Sequence, residues 1–253
     1  MRWDPQQYGR FAGERGRPFL DLVARIDAAA PRRVVDLGCG PGQLTALLVD
    51  RWPGATVEGI DSSPEMIEAA SPGPRVSFRV GDVRDWDPSG TDVIVSNATL
   101  QWVPEHRELV ARWAAGLPSR GWLAFQVPGN FDAPSHVLMR SLASSPRWAS
   151  ALDGVLRHAD AVAAPEEYAQ LLLGAGLEVD VWTTTYVHVL PGPEAVLEWV
   201  RGTGLRPVLQ ALSPTAAAEF EREYLDALRS AYPATPHGTL FPFRRIFAVG
   251  TRA

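Results

Sequence analysis

The chain has 253 residues, 46% of them hydrophobic, and a formal net charge of −5. That length buries a large core as one domain, or as one domain with an insertion; the acidic balance lacks the basic footprint of a nucleic-acid binder, and no apolar run reaches the roughly 18–20 residues of a membrane span. All 24 cationic residues of the Lys/Arg class are arginine, which excludes a Walker lysine, a Schiff-base lysine and a lysine base, and the only cysteine, Cys39, rules out an internal disulfide or a cysteine-built zinc site.

The N-terminal stretch MRWDPQQYGRFAGERGRP has no apolar core of a secretory signal, so a cytoplasmic location is expected. Residues 32–38 read as a buried strand and 42–51 as a helix with Leu44, Leu47 and Leu48 on one face. A second strand is expected at 56–61, a short helix at 63–70 with Pro64 near its start, a third strand at 75–82 and a fourth at 92–97. A helix at 104–117 places Leu109, Trp113 and Leu117 at helical spacing, and 121–127 is a fifth strand. This alternation predicts an α/β fold with a doubly wound, mostly parallel seven-stranded sheet. Beyond it, 130–176 read as helices and loops, 178–190 as a long alternating strand, 193–232 as two or three helical pieces, and 241–251 as the last strand. The expectation is a single domain over 1–253, with 1–30 as an N-terminal lid segment and 130–176 and 193–232 as helical cover.

The stretch VVDLGCGPG, residues 34–42, places Gly38, Gly40 and Gly42 between the first strand and the first helix. In an open α/β sheet, ligands bind beyond the carboxyl ends of the strands, where strand order reverses. Glycine there allows positive φ and close approach of a ligand. An ordinary tight turn carries such glycines too, and the spacing is G-x-G-x-G rather than the G-x-G-x-x-G of dinucleotide binders. More telling are the other strand ends. Asp36 lies two residues before the first glycine, Asp61 ends the second strand, Asp82 ends the third after a glycine in VGDV, and Asn97 ends the fourth. Each alone is an ordinary cap or turn residue; together they line one crevice with small acidic or amide side chains. Asp61 is placed for a ribose diol and Asp82 for an adenine amino group.

This constellation resembles the class I S-adenosylmethionine-dependent methyltransferases. The resemblance implies a Rossmann-like methyltransferase fold with a helical cover and S-adenosyl-L-methionine as cofactor. It implies a DLGCGPG loop under the methionine part, supported by Asp36, with Gly38, Gly40 and Gly42 admitting the cofactor. It further implies Asp61 and Ser62 at the ribose, Asp82 and Val83 along adenine, and Asn97 near the methionine and the acceptor. No metal is implied. The segments WDPQQYGRFAGERGRPFLDLVARI, IDSSPEMI, SNATLQWVPEH, QVPGNFDAPSHVLMR, VDVWTTTYVHVL and LEWVRGTGLRPVL are similar to the trans-aconitate 2-methyltransferase family. That resemblance spans nearly the whole chain, is weakest at about 144–165, and implies methyl esterification of a small tricarboxylate.

A carboxylate is ionised at neutral pH and needs no base to attack a methyl sulfonium, so no catalytic base is expected. The carboxylates that do not react need cations or donors. The candidates are Trp3, Tyr8, Arg15 and Arg17 in the N-terminal segment, His136 and Arg140 at i, i+4, Tyr186 and His188 on one strand face, Arg206, and Arg244 and Arg245. Glycine and proline are expected to hold Arg206 and the N-terminal arginines in loops. Trp102 is a candidate pocket wall. The same fold acting on a hydroxyl or amine acceptor, or binding the cofactor without turnover, stays open from the sequence, as does the oligomeric state.

Overall fold

The computed structural model describes residues 12–157, 159–192 and 194–253. Its elements in chain order are α1 (Ala12–Val23), β1 (Arg33–Leu37), α2 (Gln43–Arg51), β2 (Thr56–Asp61), α3 (Pro64–Glu68), β3 (Val76–Val80), β4 (Val93–Asn97), α4 (His106–Ala115) and β5 (Trp122–Pro128). Then follow α5 (Pro134–Ala143), α6 (Ala149–Leu152), α7 (Pro165–Gly174), β6 (Glu178–Leu190), α8 (Ala195–Arg201), α9 (Arg206–Ala211), α10 (Pro214–Ala231), β7 (Ala234–Thr235) and β8 (Gly238–Thr251).

The sheet order is β3-β2-β1-β4-β5-β8-β6, with the two-residue β7 paired to β8. The pairs β2–β3, β1–β2, β1–β4 and β4–β5 are parallel, and β5–β8 is antiparallel. The seven strands of this path are those the periodicity indicates. The additions are β7, unmarked by any apolar alternation, and an earlier start of the last strand, at Gly238 rather than 241. Strand order reverses between β1 and β4, which is where the glycine loop emerges.

Local chemistry explains the helix starts. Ser63 caps α3 by accepting from Met66 N at 3.3 Å, with Pro64 at the first helical position, where a missing N–H costs nothing. Pro134, Pro165 and Pro214 start α5, α7 and α10 the same way, and Glu167 reaches back to accept from Ala164 N at 2.8 Å. No described helix is long and apolar enough to cross a membrane.

The chain forms two compact units. The first comprises the described residues up to Pro128, with Val162–Thr184 and Arg245–Ala253. Its core is the run of buried strand residues that includes Val34, Val35, Ile94, Val95, Leu123 and Phe125, all fully inaccessible. The second comprises Gly129–Ala161 and Thr185–Arg244. Its interior is aromatic: Trp199 meets Phe241 and Phe243 at 5.7 and 5.5 Å, and Tyr232 meets Phe241 at 5.3 Å. The helical stretch 193–232 falls in the second unit, whereas 130–176 is divided, its part from Val162 belonging with the sheet.

Candidate active site

In the first unit a cavity of about 370 Å³ opens where the strand order reverses. Its wall takes Gly38 and Gly40 after β1, Asp61 and Ser62 after β2, Asp82 and Val83 after β3, and Asn97 at the end of β4. Seven of the nine cofactor residues expected from the sequence therefore share one surface.

Gly38 has φ +80°, and a Cβ there would stand 2.0 Å from Thr99 Oγ1, so only glycine lets the loop after β4 close over this turn. Gly40 has φ +56° and meets nothing within 4 Å, so its bare backbone faces open space. Its N–H donates to Asp61 Oδ2 at 2.9 Å, while Asp61 Oδ1 accepts from Ser63 N at 2.9 Å. Burial raises the Asp61 pKa, against the pull of these backbone donors.

The other two expected residues stand behind the wall. Asp36 is buried and accepts from Thr45 Oγ1 at 2.6 Å. Burial pushes its pKa up to about 7, with Thr45 opposing and Asp61 adding to the rise. It braces α2 against β1 instead of lining the cavity. Gly42, φ +80°, is a packing glycine: a Cβ there would lie 2.5 Å from the Phe78 ring.

Of the wall residues that carried no signal as site residues, three stand out. Arg84 grips Asp82 with two guanidinium hydrogen bonds, at 2.9 and 2.5 Å, and holds its carboxyl below the ordinary range. Met66 and Thr99 contribute from the starts of α3 and of the loop after β4. Trp102 lines the cavity as anticipated, with Val103 and Pro104. Behind them His106 is buried, its Nδ1 at 2.9 Å from Val103 O and its Nε2 at 2.9 Å from Tyr168 Oη. Both ring nitrogens are engaged and burial lowers its pKa, so it is a strut rather than a free base. The Cys39 thiol is held protonated by burial and by Asp36 and Asp61.

In the second unit Phe131, His136, Met139, Arg140, Arg157 and Gly204 line a small cleft. Phe131 organises it. The Arg157 guanidinium lies 5.5 Å above its ring, the His136 ring centroid is 5.6 Å away, and Arg140 Nη2 donates to its carbonyl at 2.6 Å. Burial brings Arg157 down to about 10. Burial, then Arg157 and Arg140, hold His136 down to about 4, so the imidazole is neutral beside two guanidinium groups. Such a cleft favours an anion. His136 and Arg140 were expected there; Arg157 was not, because it lies where the family resemblance is weakest.

The remaining substrate candidates fall elsewhere. Arg206 adjoins the cleft residues Gly204 and Pro207, but it is the first residue of α9 and not part of a loop. Tyr186 and His188 do share a face of β6, yet they sit in the aromatic interior, with His188 4.7 Å from Trp199, and not in the cleft. Arg17 is an exposed residue of α1 facing Asp21 at 3.9 Å, so the helix from Ala12 replaces the expected loop. Arg244 is exposed, its backbone clasped by the Asn130 side chain. Arg245 is buried within the sheet. Trp3 and Tyr8 lie outside the described residues, as does the Arg15 side chain.

A family model described as a methyltransferase domain matches residues 11–180. The chain is 57% identical to a trans-aconitate 2-methyltransferase of Streptomyces coelicolor, covering 99% of this chain and 86% of that one. It is also 57% identical to a trans-aconitate 2-methyltransferase of Rhodococcus jostii, covering 98% of each. Among solved structures it is similar in fold to Haemonchus contortus phosphoethanolamine N-methyltransferase 2 in complex with S-adenosyl-L-methionine, at 16% identity and a TM-score of 0.55, covering 94% of this chain and 53% of that one.

Proposed function

We propose, from the premise that the chain belongs to the trans-aconitate 2-methyltransferase family, that it transfers a methyl group from S-adenosylmethionine to one carboxylate of trans-aconitate, giving the monomethyl ester and S-adenosylhomocysteine.

The cavity of the first unit suits this cofactor. Gly40 offers bare backbone to open space, Asp61 keeps lone pairs for a ribose diol, and Asn97 adds its amide to the wall. Asp82 is already paired with Arg84, so Asp61 is the wall carboxylate that favours a ligand carrying a sulfonium and an ammonium. When bound, S-adenosylmethionine supplies an electrophilic methyl carbon. Held by the wall residues Gly40, Asp61 and Asn97, it would give that methyl to a substrate carboxylate oxygen and leave as the neutral thioether. The carboxylate and sulfonium charges cancel and no proton moves. The protein's contribution is alignment and exclusion of water. Trp102, Val103 and Pro104 supply apolar wall, and His106 behind them has no nitrogen to spare as a base. That arrangement favours an acceptor already ionised over a hydroxyl that must lose a proton.

The observation that carries the acceptor class is the cleft around Phe131, where Arg157 and Arg140 place two guanidinium groups beside a neutral histidine. Taken by itself this cleft, with Arg206 at its edge, suits a carboxylate, in keeping with an acidic acceptor. The first experiment is methyl transfer from labelled cofactor to trans-aconitate, cis-aconitate, isocitrate, citrate and a monocarboxylate. Base-labile labelling of trans-aconitate, with the monocarboxylate unlabelled, is the expected result. A product stable to mild alkali, or no labelled acid, overturns the reading. The location in the cytoplasm belongs to the same proposal.

A further inference from the structure

Two buried amide atoms in the sheet of the first unit have no partner among the described residues: Asn97 Oδ1 and Gln126 Nε2. They are an acceptor and a donor. Asn97 and Gln126 are direct register partners on the parallel strands β4 and β5, so their side chains project from the same face of the sheet as neighbours. A buried, unmade hydrogen bond costs about 1–3 kcal/mol, and such groups in a native interior call for an explanation.

The Gln126 amide has a fixed sense. Its Oε1 accepts from Arg245 Nη1 at 3.1 Å, which leaves Nε2 as the outward donor. Gln126 is fully inaccessible and Arg245 is 5% exposed. Gln126 also pairs with Phe247 of β8, and Arg245 lies two residues from Phe247 on the same face. Arg245, Gln126 and Asn97 thus form a row across β8, β5 and β4, and its last member lines the cavity. With Asn97 Oδ1 turned inward, Asn97 Nδ2 is left for the cavity.

We propose that Arg245, Gln126 and Asn97 are a hydrogen-bond relay that carries the influence of a buried guanidinium to the cavity wall, where the Asn97 amide donates to a carboxylate. The order of donation is Arg245 Nη1 to Gln126 Oε1, Gln126 Nε2 to Asn97 Oδ1, and Asn97 Nδ2 to the ligand. A ligand carboxylate draws Asn97 into the geometry that closes the middle link. Each link polarises the next, so the terminal amide is a stronger donor than an isolated asparagine. Arg245 and Gln126 are positioning residues that act through Asn97. The inference rests on the functional reading above, which offers two carboxylates: the amino-acid end of the cofactor and the acid acceptor.

The test compares wild type with Gln126→Leu and Gln126→Glu. Calorimetry measures binding of S-adenosylhomocysteine and of its decarboxylated analogue, and methyl-transfer assays give KM and kcat for the acid. In Gln126→Glu the new carboxylate accepts where the amide donated, so it turns Asn97 around. If the relay serves the cofactor, both variants weaken S-adenosylhomocysteine about tenfold and leave the decarboxylated analogue within about twofold. If it serves the acceptor, cofactor binding holds while KM rises about tenfold at little changed kcat. Should either variant fail to fold, Asn97→Ala removes the terminal donor from the cavity wall and is read the same way. Equal weakening of both cofactor forms, or no change in any of these quantities, overturns the relay. Wild-type protein that binds no S-adenosylhomocysteine instead overturns the functional reading, and the relay with it.

Discussion

The N–H of Gly40 donates to the Asp61 carboxylate across 2.9 Å, tying the glycine loop after β1 to the end of β2. The same carboxylate accepts from Ser63 N, so one side chain sets the positions of the loop, of the start of α3 and of the cavity wall between them. Asp61→Ala removes the loop tie and, on the proposed function, the ribose acceptor together. The expected result is a rise of roughly 100-fold in the Kd of S-adenosylhomocysteine, since hydrogen bonds to a charged group contribute about 1.5–3 kcal/mol each. Calorimetry checks this, and a Kd within threefold of wild type removes Asp61 from cofactor recognition.

Two glycines of one loop separate packing from access. Gly38→Ala drives a methyl group into Thr99 on top of a positive φ, whereas Gly40→Ala meets open space and carries only the backbone strain. Gly38→Ala is expected to destabilise the fold by about 3 kcal/mol or more, as overpacking against a fixed neighbour does, and Gly40→Ala by about 1 kcal/mol. Binding reverses the order of interest: a folded Gly40→Ala protein should lose cofactor affinity, because its new methyl group occupies the cavity. Denaturant unfolding and calorimetry on both variants decide the matter, and equal stability losses would contradict the assigned contacts.

The cavity of the first unit was legible because each strand end announces itself. Apolar runs stop at Asp36, Asp61 and Asn97, and the period-two and helical patterns locate the turns that follow. What those patterns do not contain is which side chain turns inward. Asp36 and Gly42 share the loop with Gly40 yet face Thr45 and Phe78. The cleft of the second unit was legible only in part. His136 and Arg140 stood out by their i, i+4 spacing, but Arg157 is a lone arginine in a stretch with no periodicity. Only the fold brings its guanidinium over the Phe131 ring. Tyr186 and His188 show the converse. Alternation placed them on one face correctly, and that face packs on Trp199. The row of Arg245, Gln126 and Asn97 joins residues from three strands, and no local pattern links them.

Arg157 offers a direct test of whether the cleft of the second unit takes a carboxylate. Arg157→Met keeps the apolar stem over Phe131 and removes the charge. KM for trans-aconitate is expected to rise at least tenfold, because a charge-assisted contact to a carboxylate is lost, while the Kd of S-adenosylhomocysteine stays within twofold. Arg140→Met is expected to do the same with a larger stability loss, since it also gives up the bond to the Phe131 carbonyl. Steady-state kinetics and calorimetry separate the two effects. An unchanged KM in both variants would move the carboxylate site elsewhere.

Asp36 gives the protein a pH dependence whose sign is fixed. Its folded pKa is pushed up to about 7 by burial, against 3.8 for an ordinary aspartate, so between those values the folded state holds a proton that the unfolded state has lost. Stability from this residue is therefore greatest below about pH 4 and declines as pH rises to about 7, by a few kcal/mol at most on the scale of 1.36 kcal/mol per pKa unit. Asp61, whose pKa burial also raises, acts in the same direction. Asp36→Asn keeps an oxygen for the Thr45 hydroxyl and removes the titration. The variant should thus be nearly flat in the Asp36 window and gain on wild type as pH increases from 5 to 8. A cationic cofactor in front of Asp36 and Asp61 favours their ionised forms, so its binding near pH 6 should release protons in wild type and fewer in Asp36→Asn. Urea unfolding across that pH range and calorimetry in buffers of different ionisation enthalpy measure both effects. Parallel stability curves for the two proteins would show that Asp36 ionises as an ordinary carboxylate.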